Sequence, residues 1–154
     1  LFKTKSGTDI VHIPFRGAAP MTTELIAGRL DLAFATLPSV ISQIESGELR
    51  ALAVASPKRA ARLPNVPTLA EAGVPGVEAD AWFALFAPAK TPPAIVARLY
   101  KSAASALAQP AVATALATQG MTVSVRTPAE IAAWLPGEVE KWASVIKAAN
   151  VTVD

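Results

Sequence analysis

The stretch Ile10-Val11-His12-Ile13-Pro14-Phe15-Arg16-Gly17-Ala18-Ala19-Pro20 decides the fold class. An apolar, β-branched run closed by Pro14 predicts a strand, and Gly17 with Pro20 predicts a turn that opens a helix. Residues 20–27 carry Met21, Leu25 and Ile26 at helical spacing and stop at Gly28. The pattern then repeats. Residues 30–35 form a second apolar run, Pro38 opens a helix with Leu37, Ile41 and Ile44 on one side, and Gly47 closes it. Residues 49–55 form a third run. Strand, helix, strand, helix, strand with short Gly or Pro punctuation predicts an α/β fold with a parallel sheet, its second and third strands buried on both faces.

Downstream, residues 56–80 are rich in Pro and Gly, with Thr68-Leu69-Ala70-Glu71 fitting a capping box. Residues 82–87 predict a strand leaving that segment. Thr91-Pro92 starts a long helix striped by Ile95, Leu99, Ala103 and Leu107, and Pro110 with Gly120 brackets a shorter one. Residues 121–125 predict a short strand. Thr127-Pro128-Ala129-Glu130 is a second capping box, opening a helix with a core stripe of Ile131, Leu135, Val139, Trp142 and Ile146. Pro136-Gly137 within that stripe predicts a kink or split near residues 132–135. At the other end, Leu1 to Gly7 reads as the last turn of a helix, and further residues are expected upstream.

Composition narrows the chemistry. The 154 residues are 52% hydrophobic and 17% charged, which is a folding composition rather than a disordered one. No apolar run reaches the roughly 18 residues that would span a bilayer. With no cysteine, disulfides and thiolate metal sites are excluded. A net charge of +2 is too small an electrostatic footprint to predict nucleic acid as a partner. The single His12 has no carboxylate or nucleophile near it in sequence and reads as a hydrogen-bonded or edge histidine. Lys58-Arg59-Ala60-Ala61-Arg62 reads as a solvated face, and Trp134 and Trp142 as core residues. No nucleophile elbow, paired-carboxylate motif or metal set is present, so no enzyme and no cofactor is expected.

One arrangement does carry chemistry. Phe15, Arg16, Gly17, Ala18, Ala19 and Pro20 join a strand to a helix through small residues, so a ligand can approach the backbone. The first amides of a helix have no internal acceptors, and with the helix dipole they attract an anion without a charged side chain. Ala35, Thr36 and Leu37 repeat the arrangement at the next junction. In a parallel sheet both loops would share the edge beyond the strands' carboxyl ends. Read from spacing alone, they are as readily two ordinary short loops.

Five stretches in register resemble one family. Val11 to Pro20 followed by Leu25-Ile26-Ala27-Gly28-Arg29-Leu30-Asp31 is similar to the Bug-type solute receptors of tripartite tricarboxylate transporters. So are Gly47-Glu48-Leu49-Arg50-Ala51-Leu52-Ala53-Val54, the run from Leu63 through Pro67 to Gly73, and Trp82-Phe83-Ala84-Leu85-Phe86-Ala87-Pro88. The resemblance implies a two-lobed periplasmic-binding-protein fold of type II. This chain would be its C-terminal half: residues 1–81 a second ligand-binding lobe lacking its start, residues 82–154 a crossover strand and helices completing the first. It further implies a periplasmic protein with a signal peptide in its full-length form, monomeric when complete. Such a receptor captures a small organic acid and hands it to membrane permease subunits. Ligand contacts carry over to Phe15 through Pro20 and to Ala35, Thr36 and Leu37. Phe15 stands where tyrosine is common, and Ala35 where many relatives have aspartate, so Thr36 is left as the polar handle. A different reading, the effector-binding domain of a LysR-like transcription regulator, shares the fold class but requires a helix-turn-helix upstream.

Overall fold

The computed structural model describes residues 1–149. Six helices are present among them: α1 (Phe2–Ser6), α2 (Ala18–Ile26), α3 (Leu37–Glu45), α4 (Pro93–Leu107), α5 (Pro110–Thr118) and α6 (Pro128–Ala148). Their ends follow local chemistry. After α2, Gly28 turns to φ +69°, its N–H donating to the Leu25 carbonyl and the Arg29 N–H to that of Glu24. That pair of bonds is a Schellman motif, and the same motif closes α5 at Gly120. α6 opens with a complete capping box, in which Glu130 N–H donates to Thr127 Oγ1 and Thr127 N–H to Glu130 Oε2.

The chain divides into two units by its internal contacts. One comprises Phe2–Trp82 with Ala115–Thr122; the other comprises Leu1, Phe83–Thr114 and the described residues from Val123 onward. In the first, α2 and α3 pack on each other, and the Phe2 and Phe34 rings meet at 5.4 Å. Gly120 also belongs to this unit, because its Cα lies close against the Leu37 side chain. A third cluster ties Val54 N–H to the Pro67 carbonyl, Leu69 N–H to that of Val54, and Ala79 N–H to that of Ala55. Thr68 and Val77 are buried beside these bonds. The capping box at Thr68 and Glu71 forms as expected, although it closes a turn rather than opening a helix. In the second unit, Arg126 lies over the Trp134 ring and Trp142 Nε1 donates to Glu138.

The sheet is where the chain departs from expectation. Among the described residues the only β pairing is one parallel bridge, Val54 with Thr68. Residues 10–13 and 30–35 exchange no backbone hydrogen bonds at all. Nor are the two strands expected to be buried sheltered, since Leu32, Phe34 and Leu52 are exposed; in the other expected strands, Val11 and Phe83 are 82% and 81% exposed. A strand gains its bonds from neighbours about 4.8 Å away, which need not be close in sequence. These segments lie without such neighbours. The core is correspondingly small, with Val40 and Val77 the buried hydrophobic residues among those described. The accessible area is 11338 Å².

Two further expectations are corrected in α6. Of the kink or split expected at Pro136, the split does not occur: the helix runs through it for 21 residues. Proline there removes one donor, to the Ala132 carbonyl, and since Ala132 is exposed, water can satisfy that oxygen. The expected core stripe is also largely open, with Val139 and Ile146 exposed, and Trp134 and Trp142 only half-buried. The basic cluster forms ion pairs, Arg59 with Glu71 at 2.8 Å and Arg62 with Glu45, rather than a purely solvated face. His12 is exposed and hydrogen-bonds to nothing among the described residues.

These contacts set an acid limit on stability. The Arg59 guanidinium, followed by the Thr68 N–H, holds the Glu71 carboxyl below its ordinary value of 4.5. The Thr127 amide and hydroxyl do the same to Glu130, and Arg29 to Glu24. The folded state therefore binds fewer protons than the unfolded one at these sites. The stability they contribute is complete above the ordinary carboxylate value and is lost as pH falls through the lowered ones. Melting temperature should hold steady at neutral pH and decline below about pH 4.5, with Glu71→Gln flattening part of the decline. A wild-type profile that stays level down to about pH 3 would contradict these pairings.

Candidate functional site

The loop before α2 ends with Gly17 at φ 108° and ψ 175°, a conformation that glycine adopts and side-chain-bearing residues avoid. Nothing lies within 4 Å of where a Cβ would stand there, so backbone conformation rather than crowding selects glycine. From Gly17 the chain turns directly into α2, with no side-chain cap. The N–H groups of Gly17, Ala18 and Ala19 donate to nothing among the described residues. Pro20, the next residue, has no N–H to satisfy. Three adjacent amides are thus left pointing out of the helix end, with the positive end of its dipole behind them.

The second junction is built differently. Thr36 caps α3 in an extended conformation, but the Ser39 N–H and hydroxyl both donate back to the Thr36 carbonyl, at 2.9 and 2.7 Å. Thr36 Oγ1 in turn donates to Ser39 Oγ at 3.2 Å. The Thr36 and Leu37 amides nevertheless donate to nothing among the described residues, so this end leaves two amides open beside the three of α2. Leu37 faces Gly120.

A groove of about 480 Å³ lies between the two helices, lined by Ala18, Ala19, Thr22, Thr23, Ile26, Ser39 and Gln43. Of the expected ligand residues, Ala18 and Ala19 line it. Phe15, Arg16, Gly17, Pro20, Ala35, Thr36 and Leu37 do not. Phe15 is half-buried, while Arg16 and Thr36 are exposed. Sequence reasoning missed Thr22, Thr23, Ile26, Ser39 and Gln43 as lining residues. The available signal was the adjacent threonines of α2 together with Ser39 and Gln43, four apart on the next helix. Among the described residues no group of three or more His, Cys, Asp or Glu could hold a metal ion, and no helix is long and apolar enough to cross a membrane.

Comparison with known proteins adds an independent line. The profile of the tripartite tricarboxylate transporter family receptors matches residues 1–151. Protein BugT of Bordetella pertussis is 37% identical over 147 residues, covering 96% of this chain and 45% of BugT. Among solved structures, Rhodopseudomonas palustris Rpa4515 with adipate superposes with a TM-score of 0.87 at 36% identity, over 98% of this chain and 50% of that one. MatC (Rpa3494) from Rhodopseudomonas palustris, with bound malate, gives 0.82 at 32% identity over 94% and 50%. The chain therefore spans about half the length of these relatives.

Proposed function

The chain belongs to the tripartite tricarboxylate transporter family receptors, and from that premise we propose that it is one half of a periplasmic binding protein for a small organic acid. Two relatives carry dicarboxylates, adipate and malate. The observation that carries the reading to this chain is the trio of unpartnered amides at Gly17, Ala18 and Ala19. Oriented N–H groups with a helix dipole behind them suit a carboxylate, and small side chains let it approach. The remaining donors come from a complementary half of the receptor, whose strands also pair with residues 10–13 and 30–35 and complete a type II parallel sheet. Residues 1–81 then serve as a ligand lobe, residues 82–154 cross back to the other, and the closed, monomeric receptor delivers its cargo to membrane permease subunits. No catalytic step is needed for capture. Membership of the receptor family also removes the ground for a regulator's effector domain.

Titration with malate and adipate, followed by amide resonances, tests the site. The Gly17, Ala18 and Ala19 resonances should move, and Arg16→Ala should weaken binding by less than about tenfold, roughly 1.4 kcal/mol. If residues 15–20 stay unmoved while others shift, the anion lies elsewhere. Complete loss of binding in Arg16→Ala would mean that the guanidinium, not the helix end, holds it.

A further inference from the structure

Charge is unevenly placed along the chain. Basic and acidic side chains balance at eight each in the unit built from Phe2–Trp82 and Ala115–Thr122. The other unit holds six basic and three acidic ones among its described residues. No Asp or Glu occurs between Asp80 and Glu130, whereas Lys90, Arg98, Lys101 and Arg126 do. In the first unit Arg29, Arg59 and Arg62 are each matched by a glutamate. Lys90, Arg98 and Lys101 form no ion pair among the described residues.

α4 carries two of these cations on an open face. Val96, Tyr100, Ala103 and Leu107 are half-buried and form its covered side. Ile95 and Leu99 stay 50% and 45% exposed. With Ser102 and Ala106 they recur at i, i+4, i+7 and i+11, so they share one face. Arg98 and Lys101, three apart and both exposed, run along the border of that face, and Lys90 stands in the turn just before the helix. Aliphatic side chains beside unpaired cations on one helix face match a helix lying in a bilayer interface, where the aliphatic groups enter the acyl boundary and the cations reach phosphates. Nothing fixes the three cations in one geometry, so their long side chains are free to spread over a continuous anionic surface.

We propose that the exposed face of α4 is a docking surface for an anionic phospholipid bilayer, with Ile95 and Leu99 at the headgroup boundary and Lys90, Arg98 and Lys101 at the phosphates. The helix lies on the membrane and does not cross it, in keeping with its 15 residues. Docking of this kind would hold a receptor beside the permease it serves, a benefit that rests on the function proposed above.

The test is flotation of the full chain with vesicles of equal parts phosphatidylglycerol and phosphatidylcholine, and with phosphatidylcholine alone. Apolar side chains exposed elsewhere, such as Phe83 and Leu85, act on both vesicle types alike, so the excess bound to anionic vesicles is the readout. That excess should vanish at high salt, where screening confines attraction to a few ångströms. Arg98→Gln with Lys101→Gln should weaken it about twenty-fivefold, about fivefold per charge. Ile95→Ser with Leu99→Ser should weaken it at unchanged charge. All four side chains are exposed and the melting temperature should hold in both variants. Equal binding to the two vesicle types overturns the proposal, as does an anionic excess that Arg98→Gln with Lys101→Gln leaves intact. Capture by a poly-glutamate peptide with the vesicles left unbound also overturns it, and would mark an acidic protein as the occupant. Carboxylate capture is tested separately by the malate and adipate titrations, so either reading can fail alone.

Discussion

Gly120→Ala should destabilise the chain by about 2–4 kcal/mol, the largest cost expected of any single methyl group here. Two effects add at this position. Gly120 closes α5 at φ +75°, where a side chain is strained, and a Cβ built there would stand 2.5 Å from Leu37 Cδ2 and 2.8 Å from Leu37 Cγ. Leu37 is half-buried, and its side chain must rotate away to make room for the methyl group. A melting temperature lowered by roughly 5–12 °C is the expected result for a chain of this size. In a Leu37→Ala background the crowding is gone, and the same substitution should cost only the backbone strain, about 1 kcal/mol. Gly17→Ala, strained in φ but open to solvent, should resemble that second case. Equal costs for Gly120→Ala with and without Leu37 would show that the two residues do not touch.

Affinity should change by far more when the receptor is complete. On the reading proposed above, this chain offers one set of donors, the amides of Gly17 to Ala19, and leaves the other side of the ligand in water. Binding pockets bury most of a small ligand's surface, and the hydration kept by an open face competes with every bond made on the closed one. The chain alone should therefore bind malate or adipate no better than about millimolar, near −4 kcal/mol, and the full-length receptor near micromolar, about −8 kcal/mol. Closure would supply a thousandfold. It would also shelter Val11, Phe34, Leu52 and Phe83, now exposed. An apolar surface of that extent is otherwise a liability for association.

How much of this was legible in the sequence depends on the range of the interactions involved. Helices were legible because their signals are local: Gly28, Gly47 and Gly120 stop three of them, each at positive φ, and Thr127 with Glu130 starts the last. α2 begins two residues before its expected start, because Gly17, not Pro20, ends the extended loop. Strand formation was not legible in the same way. The apolar runs at residues 10–13 and 30–35 state a preference, but a ladder needs a partner backbone that spacing along this chain does not supply. Pro136 did not split its helix, since one missing donor in an exposed helix costs too little for that. In the candidate site, the loop at residues 15–20 could be found because helix entry by small residues is a local pattern. Thr22, Ser39 and Gln43 could not, as polar residues on two helices become a groove only when those helices pack.

The central claim is that this chain is one half of a two-lobed carboxylate receptor, and calorimetric titration of malate and adipate into the chain alone and into its full-length form tests it most directly. Weak heats that saturate only beyond about millimolar are expected for the chain alone, and a gain of about a thousandfold in the full-length form. Micromolar binding by the 154-residue chain alone would contradict it, because the second set of donors would then be dispensable.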